Sequence, residues 1–280
     1  MRGVENQDLT PVSSGVDGCV DLRFERCGAR TVLRRSRAAA PMALVRPFDL
    51  PDGRTMVQLI TLGPGLCAGD AVHIDITAET GARVIVTTTA ATRVMAMDAS
   101  ERAEQHVRLH AARDASLEYY PAVTIPFPGS ALRQSLAVTA SSSARVAVVE
   151  TWALGRSARE EYLQFRSISS RTTLTVDDAL IYADAVEFQP AAADLAGAGI
   201  LSGHRYVAAG FWHGATLPDD CDPCNEGDAL VAFAQSAPHL VYLRALGRSA
   251  PAMDEVLRRT TAAIAAHWRI PPIRFDRFRC

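Results

Sequence analysis

The sequence contains no lysine, although 29 of its 280 residues are basic. Every basic residue is therefore an arginine. Without lysine the chain has no amine for a Schiff base, no lysine general base and no Walker A lysine to hold nucleotide phosphates. These absences exclude a P-loop nucleotide hydrolase and any enzyme that uses a lysine nucleophile.

The chain also lacks an excess of charge and a long apolar run. Its net charge of −2 gives no electrostatic footprint for nucleic acid or for an anionic membrane surface, so we expect neither as a partner. Residues 1–8 contain no apolar core of a signal peptide, and no stretch approaches the ~20 apolar residues of a membrane span. We therefore expect a soluble, unexported protein of the cytoplasm.

Cysteine is scarce, with 6 residues in the chain, which is too few for a disulfide framework. Cys221 and Cys224 form one C-x-x-C pair, with His204, His213 and His239 in the flanking sequence. A closed zinc site needs about four ligands, and these histidines have no recognised spacing. The pair is either part of a metal site or a reduced dithiol in a loop.

The segment Gly81–Met95 predicts a buried strand. Val84, Ile85 and Val86 precede three threonines, and such β-branched side chains suit a pleated surface. Because side chains alternate across a strand, neither face carries a charge between Val84 and Arg93. We expect this strand to be covered on both sides.

The same unit recurs in segments that begin at His73, His106 and Ser135. Each copy has an alternating strand, a polar turn, an alanine and a second strand, and the copies are about 30 residues apart, which is typical of stacked repeats. The pattern favours a β-solenoid-like stack, and the alternative is an antiparallel sandwich of similar hairpins. The alanines stand at positions 82, 115 and 144.

Other elements follow from local patterns. Alternation predicts an N-terminal hairpin at the edge of a sheet and later strands at 163–168, 171–176 and 180–188. Residues 190–199, rich in alanine and glycine, read as a linker or a short frayed helix. Pro251, the acids after it and an apolar stripe predict a helix that starts near Ser249.

Candidate catalytic residues are few. The sequence has no Gly-x-Ser-x-Gly elbow, so a serine hydrolase has little support. The loop 63–70 has glycines but leads into a strand, whereas a phosphate cradle needs a helix N-terminus. His106 and His110 would share one face of a strand, which favours two surface histidines over a metal pair.

Several stretches occur in a characteristic order, and they are Gly63–Asp70, Thr87–Val94, Leu117–Pro121, Ile125–Phe127 and Glu150–Arg156. Together they resemble the urease accessory protein UreD family, also called UreH. The match runs from about residue 20 to 190, and the strand and helix of 240–270 are similar to the family's C-terminal end. Residues 191–239 have no counterpart that we could identify, and Ala185 stands after Asp184 where the family has an arginine.

The resemblance implies a single UreD-like domain over 1–280, mainly β, with right-handed β-helical layers and a few helices, one of them near the C-terminus. It further implies a non-enzymatic chaperone of metallocentre assembly in the cytoplasm, required for nickel insertion into apo-urease. Such a protein is a scaffold and nickel conduit in a complex with UreF and UreG, and the GTPase activity belongs to UreG. It holds no tight cofactor and only transient Ni²⁺.

Two other functions remain open. One is a β-helical or cupin-like metal-dependent enzyme that uses Cys221, Cys224 and a histidine. The other is a protein-binding module that does not handle nickel.

Acidic residues in apolar strands suggest the route for nickel. Glu150 shares a strand face with Val148 and Trp152, and a lone buried carboxylate costs several kcal/mol unless it has a partner or is neutral. Oxygen ligands bind Ni²⁺ weakly enough for the ion to leave again. The predicted route consists of Glu118, Glu150, Glu161 and Asp184. The alternative is that these acids pair with arginines such as Arg145, Arg156 and Arg159.

We predict that replacing Cys221 and Cys224 together with serine leaves urease activation near the wild-type level, because one dithiol closes no metal site. Urease activity in cells that express the variant tests this prediction. Loss of activation together with loss of bound metal would show that the dithiol is a functional site.

Overall fold

The computed structural model describes residues 15–216, 224–226 and 228–273, with backbone only for 224–226. Strands account for 53% of the structure, which winds as a β-solenoid of about 4 turns. The prediction of a mainly β, solenoid-like fold is confirmed. Within the described residues there is one α-helix, α1 (Ala250–His267), and one 3₁₀ turn, Ser157–Arg159.

Strands β1 to β19 form two sheets. They are β1 Asp17–Cys27, β2 Arg30–Ala39, β3 Met42–Leu44, β4 Phe48–Asp49, β5 Thr55–Thr61, β6 Ala71–Ala78, β7 Arg83–Thr88, β8 Thr92–Val94, β9 Ala103–Ala111, β10 Ser116–Tyr120, β11 Thr124–Pro126, β12 Ala131–Ala140, β13 Arg145–Ala153, β14 Ser167–Val176, β15 Ala179–Phe188, β16 Tyr206–His213, β17 Cys224–Glu226, β18 Ala229–Ala237 and β19 Leu240–Gly247. The first sheet has the order β15-β14-β12-β9-β6-β1-β2, and the second runs β17-β18-β19-β16-β13-β10-β7-β5-β3, with β4, β8 and β11 beside it.

Each coil contributes one strand to each sheet, and the coils stack in parallel. In the first sheet His73 of β6 pairs with His106 of β9, which pairs with Ser135 of β12, as the repeat alignment predicts. In the second sheet β7, β10 and β13 stack in the same way. The three repeat alanines are buried in the turns between the sheets. Their small side chains let successive turns stack, and the Ser116 amide donates to the Ala82 carbonyl at 2.8 Å.

The second sheet is covered on both faces. Val84 and Val86 of β7 pack in the core between the two sheets, whereas Ile85 belongs to a second cluster that includes Val256 and Leu257 of α1. The prediction of two-sided burial for this strand is therefore confirmed. The strand itself is shorter than the segment 81–95, because a turn separates β7 from β8.

The C-terminal helix begins as predicted. Ser249 is its N-cap and accepts a hydrogen bond from the Ala252 amide at 3.3 Å, and Pro251 lies in the first turn. After the helix, the Trp268 indole donates to the Gly214 carbonyl at 2.7 Å, which ties the helix end to the sheet. The predicted apolar stripe is buried, and it consists of Met253, Val256, Leu257, Thr260 and Ile264. None of the helical structure described here is both long and apolar enough to cross a membrane.

Two further predictions differ in outcome. The N-terminal hairpin is confirmed, and β2 is the edge strand of the first sheet. The strand predicted at 163–168 is wrong for its first four residues, since β14 begins at Ser167. Leu163 has a left-handed φ of 56° and its amide donates back to the Leu154 carbonyl at 2.8 Å, so the chain folds back there instead of extending.

We predict that Ala115→Leu lowers the free energy of unfolding by roughly 1–3 kcal/mol, because the added methylenes overpack a buried turn between coils. Urea unfolding measures the change. Ala137→Leu is the matched control, because Ala137 is exposed on β12. Equal stability of the two variants would contradict the role of Ala115 in coil stacking.

Candidate functional site

The structure brings two of the four predicted acids together and separates the other two. Glu150 of β13 and Asp184 of β15 line one pocket between the sheets. Glu118 of β10 lies on the opposite face of the second sheet, and Glu161 lies in a loop after the 3₁₀ turn. The four acids therefore do not form one continuous line.

Glu150 is a buried carboxyl group between the two sheets. One carboxylate oxygen accepts from the Gln134 amide of β12, and the other accepts from the Thr172 hydroxyl of β14 at 3.3 Å. Among the described residues it has no arginine or histidine partner within ion-pair distance. Burial is the main reason that the pKa of Glu150 is raised to about 7. The hydrogen bond from Thr172 lowers the pKa, whereas the negative charge of Asp184 raises it. This carboxyl group therefore gains and loses its proton near neutral pH.

Asp184 forms an ion pair across the two sheets. Its partner is the Arg244 guanidinium of β19. The other terminal nitrogen of Arg244, Nη1, is buried and has no hydrogen-bond partner in the described structure. Arg244 therefore holds Asp184 beside Glu150.

The pocket has room for about one water molecule. Aromatic rings form one wall, with the centroids of Tyr182 and Phe211 5.0 Å apart. Gly210 brings β16 close to β13, because a Cβ atom at this position would lie 2.4 Å from the Val148 carbonyl oxygen. The lining residues are Val148, Glu150, Thr172, Tyr182, Asp184, Ala209, Gly210 and Phe211.

A polar row crosses the interior of the first sheet next to Glu150. Gln105, Gln134 and Ser170 are paired in register on β9, β12 and β14, and all three are buried. The carbonyl oxygen of the Gln134 side chain and the Ser170 hydroxyl have no hydrogen-bond partner in the described residues. An unsatisfied buried polar group costs about 1–3 kcal/mol, so such groups are normally met by water or an ion. The interior beside Glu150 is therefore suited to water.

Glu118 belongs to a structural clamp. Its register neighbours are Ile85 and Ala147, on the face that α1 covers. Its carboxylate accepts from the Arg54 guanidinium at 2.9 Å, and Arg54 also donates to the Pro271 carbonyl at 2.6 Å. Burial raises the pKa of Glu118, and Arg54 opposes the rise. The pair ties the sheet to the segment after the helix.

Glu161 pairs with Arg156, one of the arginines that the alternative interpretation named. The Nε and Nη2 atoms of Arg156 donate to the two carboxylate oxygens of Glu161, and this pairing lowers the pKa of Glu161. The Arg156 guanidinium also lies 4.0 Å from the centre of the Phe127 ring. Gly155 permits this loop, because a Cβ atom there would lie 2.0 Å from the Glu161 carbonyl oxygen. Gly155 and Arg156 thus position a partly exposed ion pair.

The predicted cysteine site lies almost entirely outside the described residues. Cys221 is not described, and only the backbone of Cys224 is described, in β17. In the described ranges no three His, Cys, Asp or Glu side chains converge to hold a metal as they are placed. His106 and His110 share the outer face of β9, which confirms the strand interpretation.

Sequence reasoning missed the partners of the central acids. Gln134 had a local signal, since it interrupts the apolar alternation of Leu132 and Leu136 on the inner face of β12. Arg244 had none, because its contact with Asp184 joins strands 60 residues apart in the sequence.

The comparisons with known proteins all identify the same family. The profile described as UreD urease accessory protein matches residues 16–277, which includes the segment 191–239. Urease accessory protein UreD 1 of Synechococcus sp. (strain JA-3-3Ab) is 36% identical over 230 residues, covering 81% of this chain and 84% of that protein. Urease accessory protein UreD of Deinococcus radiodurans is 33% identical over 254 residues, covering 89% and 91%.

We predict that Glu150→Gln stabilises the protein at pH 8 and has its smallest effect at pH 5. The folded pKa of about 7 lies above the reference value of 4.5, so the native state loses stability as pH rises between these values. Glutamine removes that loss, which we expect to be roughly 1–3 kcal/mol at pH 8. Urea unfolding at both pH values tests the prediction.

The matched control is Glu161→Gln, which removes an ionised carboxylate whose pKa is lowered. This variant is expected to show no stabilisation at pH 8. A pH-independent effect of Glu150→Gln would contradict the assignment of the raised pKa.

Proposed function

Because the chain belongs to the UreD urease accessory protein family, we propose that it is a chaperone of urease maturation that supports nickel insertion into apo-urease. In this proposal it is a scaffold and a nickel conduit that works with UreF and UreG and turns over no substrate itself. The observation that carries the proposal is the pocket between the sheets where Glu150 and Asp184 meet.

The chemistry of the pocket suits an ion in transit. Its charged ligands are carboxylate oxygens, which hold Ni²⁺ less tightly than imidazole or thiolate clusters do. Glu150 is ionisable near neutral pH, so an arriving cation can displace its proton and a departing cation can be replaced by one. The unsatisfied groups of Gln134 and Ser170 next to it give an ion or its water further oxygen contacts.

The scaffold role has a separate basis in exposed apolar side chains. Leu180 is 63% exposed and Ile181 38% exposed, and both lie on β15, the edge strand of the first sheet. Edge strands and exposed apolar groups are common docking features for protein partners. We assign β15 as a contact surface for the partner proteins, close to the pocket that Asp184 lines.

We predict that the double variant Glu150→Gln, Asp184→Asn yields nickel-poor urease of low activity while the complex with UreF and UreG still assembles. Both changes keep the side-chain shape and remove the charge that attracts the cation. Nickel content and activity of urease purified from cells are the measurements, with co-purification of the partners as the assembly check.

Glu161→Gln is the control in the same assay, because Glu161 lies outside the pocket. We expect near-normal nickel loading for this variant. Full urease activation by the double variant would contradict the conduit role. Failure of the complex to assemble would also contradict it, because the loss of activity would then come from lost scaffolding.

A further inference from the structure

A row of metal-binding residue types crosses the outer face of the first sheet. Cys19 of β1 pairs with His73 of β6, and His73 pairs with His106 of β9. Neighbouring strands are about 4.8 Å apart, so paired side chains on one face are adjacent. The residues next to them in sequence, Val72 and Gln105, are buried in the interior, so this row faces outward.

The His106 imidazole is already surrounded by suitable groups. Its Nδ1 atom is 2.9 Å from the Ser135 hydroxyl, and its Nε2 atom is 3.2 Å from a carboxylate oxygen of Glu104. The second oxygen of Glu104 accepts from Arg102 at 2.8 Å, which lowers the pKa of Glu104 and keeps it ionised. The His73 ring stacks on His106, with centroids 5.0 Å apart and planes inclined by 22°.

We propose that His73, His106 and Glu104 form a surface site for a divalent transition-metal ion such as Ni²⁺ or Zn²⁺. Two ligands at about 2.0–2.1 Å from one ion stand roughly 3 Å apart, which is close to the observed separation of the Glu104 oxygen and His106 Nε2. The Ser135 hydroxyl accepts a hydrogen bond from Nδ1–H in the tautomer that leaves Nε2 free for the metal.

The third ligand requires one side-chain rotation. The His73 ring is only partly buried, and among the described residues it stacks on the ring of His106. In the proposed metal-bound state, rotation about its side-chain bonds would bring a ring nitrogen toward the Glu104 and His106 atoms. Within the described ranges the three side chains do not converge on one point, so this rotation is part of the proposal. Two imidazoles and a carboxylate favour transition metals over Mg²⁺.

This site is separate from the Glu150 pocket and does not rest on the proposed function. His106 and Gln105 are consecutive residues of β9, with Gln105 in the interior row and His106 on the outer face. The site would therefore bind metal from solution on the outside of the same sheet.

The test is a calorimetric titration of the full chain with Ni²⁺. The His73→Ala and His106→Ala variants are each expected to weaken one Ni²⁺ site about tenfold or more, since even groups that only orient ligands contribute about 10–100-fold. Titration with Mg²⁺ is expected to show no binding at this site. Glu150→Gln should leave the affinity of this site unchanged, which separates it from the conduit.

His110→Ala is the matched control. His110 lies on the same face of β9, its Nδ1 atom is 2.8 Å from the Thr139 hydroxyl, and its register neighbour on β6 is Thr77 instead of a histidine. Its replacement is expected to leave Ni²⁺ affinity unchanged. Unchanged affinity in His106→Ala, or an equal loss in His110→Ala, would overturn the proposal.

A second measurement does not depend on the folding of the variants. In the wild-type protein, Ni²⁺ is expected to broaden the imidazole proton signals of His73 and His106 in the NMR spectrum before that of His110. Uniform broadening of all three signals would also overturn the proposal.

Discussion

The parallel register between successive coils determines which side chains meet in this protein. Side chains alternate across a strand, so a slip of one residue would exchange the inner and outer faces of a whole coil. The observed register puts Gln105 and Gln134 side by side in the interior and His73 and His106 side by side outside. The interior pocket and the outer row of metal-binding residue types both depend on this pairing.

Two buried acids show how the same fold treats charge in different ways. Glu118 is neutralised by Arg54, and their pairing joins the sheet to the chain after α1, so it serves stability. Among the described residues Glu150 has only amide and hydroxyl donors, and burial raises its pKa to about 7. A stability-optimised interior would place an apolar residue at such a position. Glu150 remains an ionisable group despite the free-energy cost of burying it, which is consistent with a role in handling cations.

The sequence pattern predicted the local structure and the stacking of the coils. β-Branched alternation located β7, the repeat alignment matched the observed register at His73, and the stripe from Met253 located the helix face. Alternation did not show which face of β10 points inward, since every residue of this strand is buried. In the sequence Glu118 and Glu150 are both acids on apolar strands, whereas the structure places Glu118 on the other face of the sheet.

The contacts of the candidate site depend on tertiary arrangement. In the second sheet β19 pairs with β16, which pairs with β13, and this arrangement places β19 opposite β15 of the first sheet. Asp184 and Arg244 meet for this reason. No local pattern contains that information. The reversal at Leu163 is similar, because its left-handed backbone is held by a hydrogen bond to Leu154, and the alternating residues around it had indicated a strand.

The most direct test of the account is an anomalous-scattering measurement at the nickel absorption edge, on crystals of the chain in complex with the proposed partner UreF and soaked in Ni²⁺. The account predicts an anomalous peak within bonding distance of the Glu150 and Asp184 carboxylates, and its loss when both residues are replaced by their amides. A nickel-loaded complex with no peak between the two sheets would contradict the interior route.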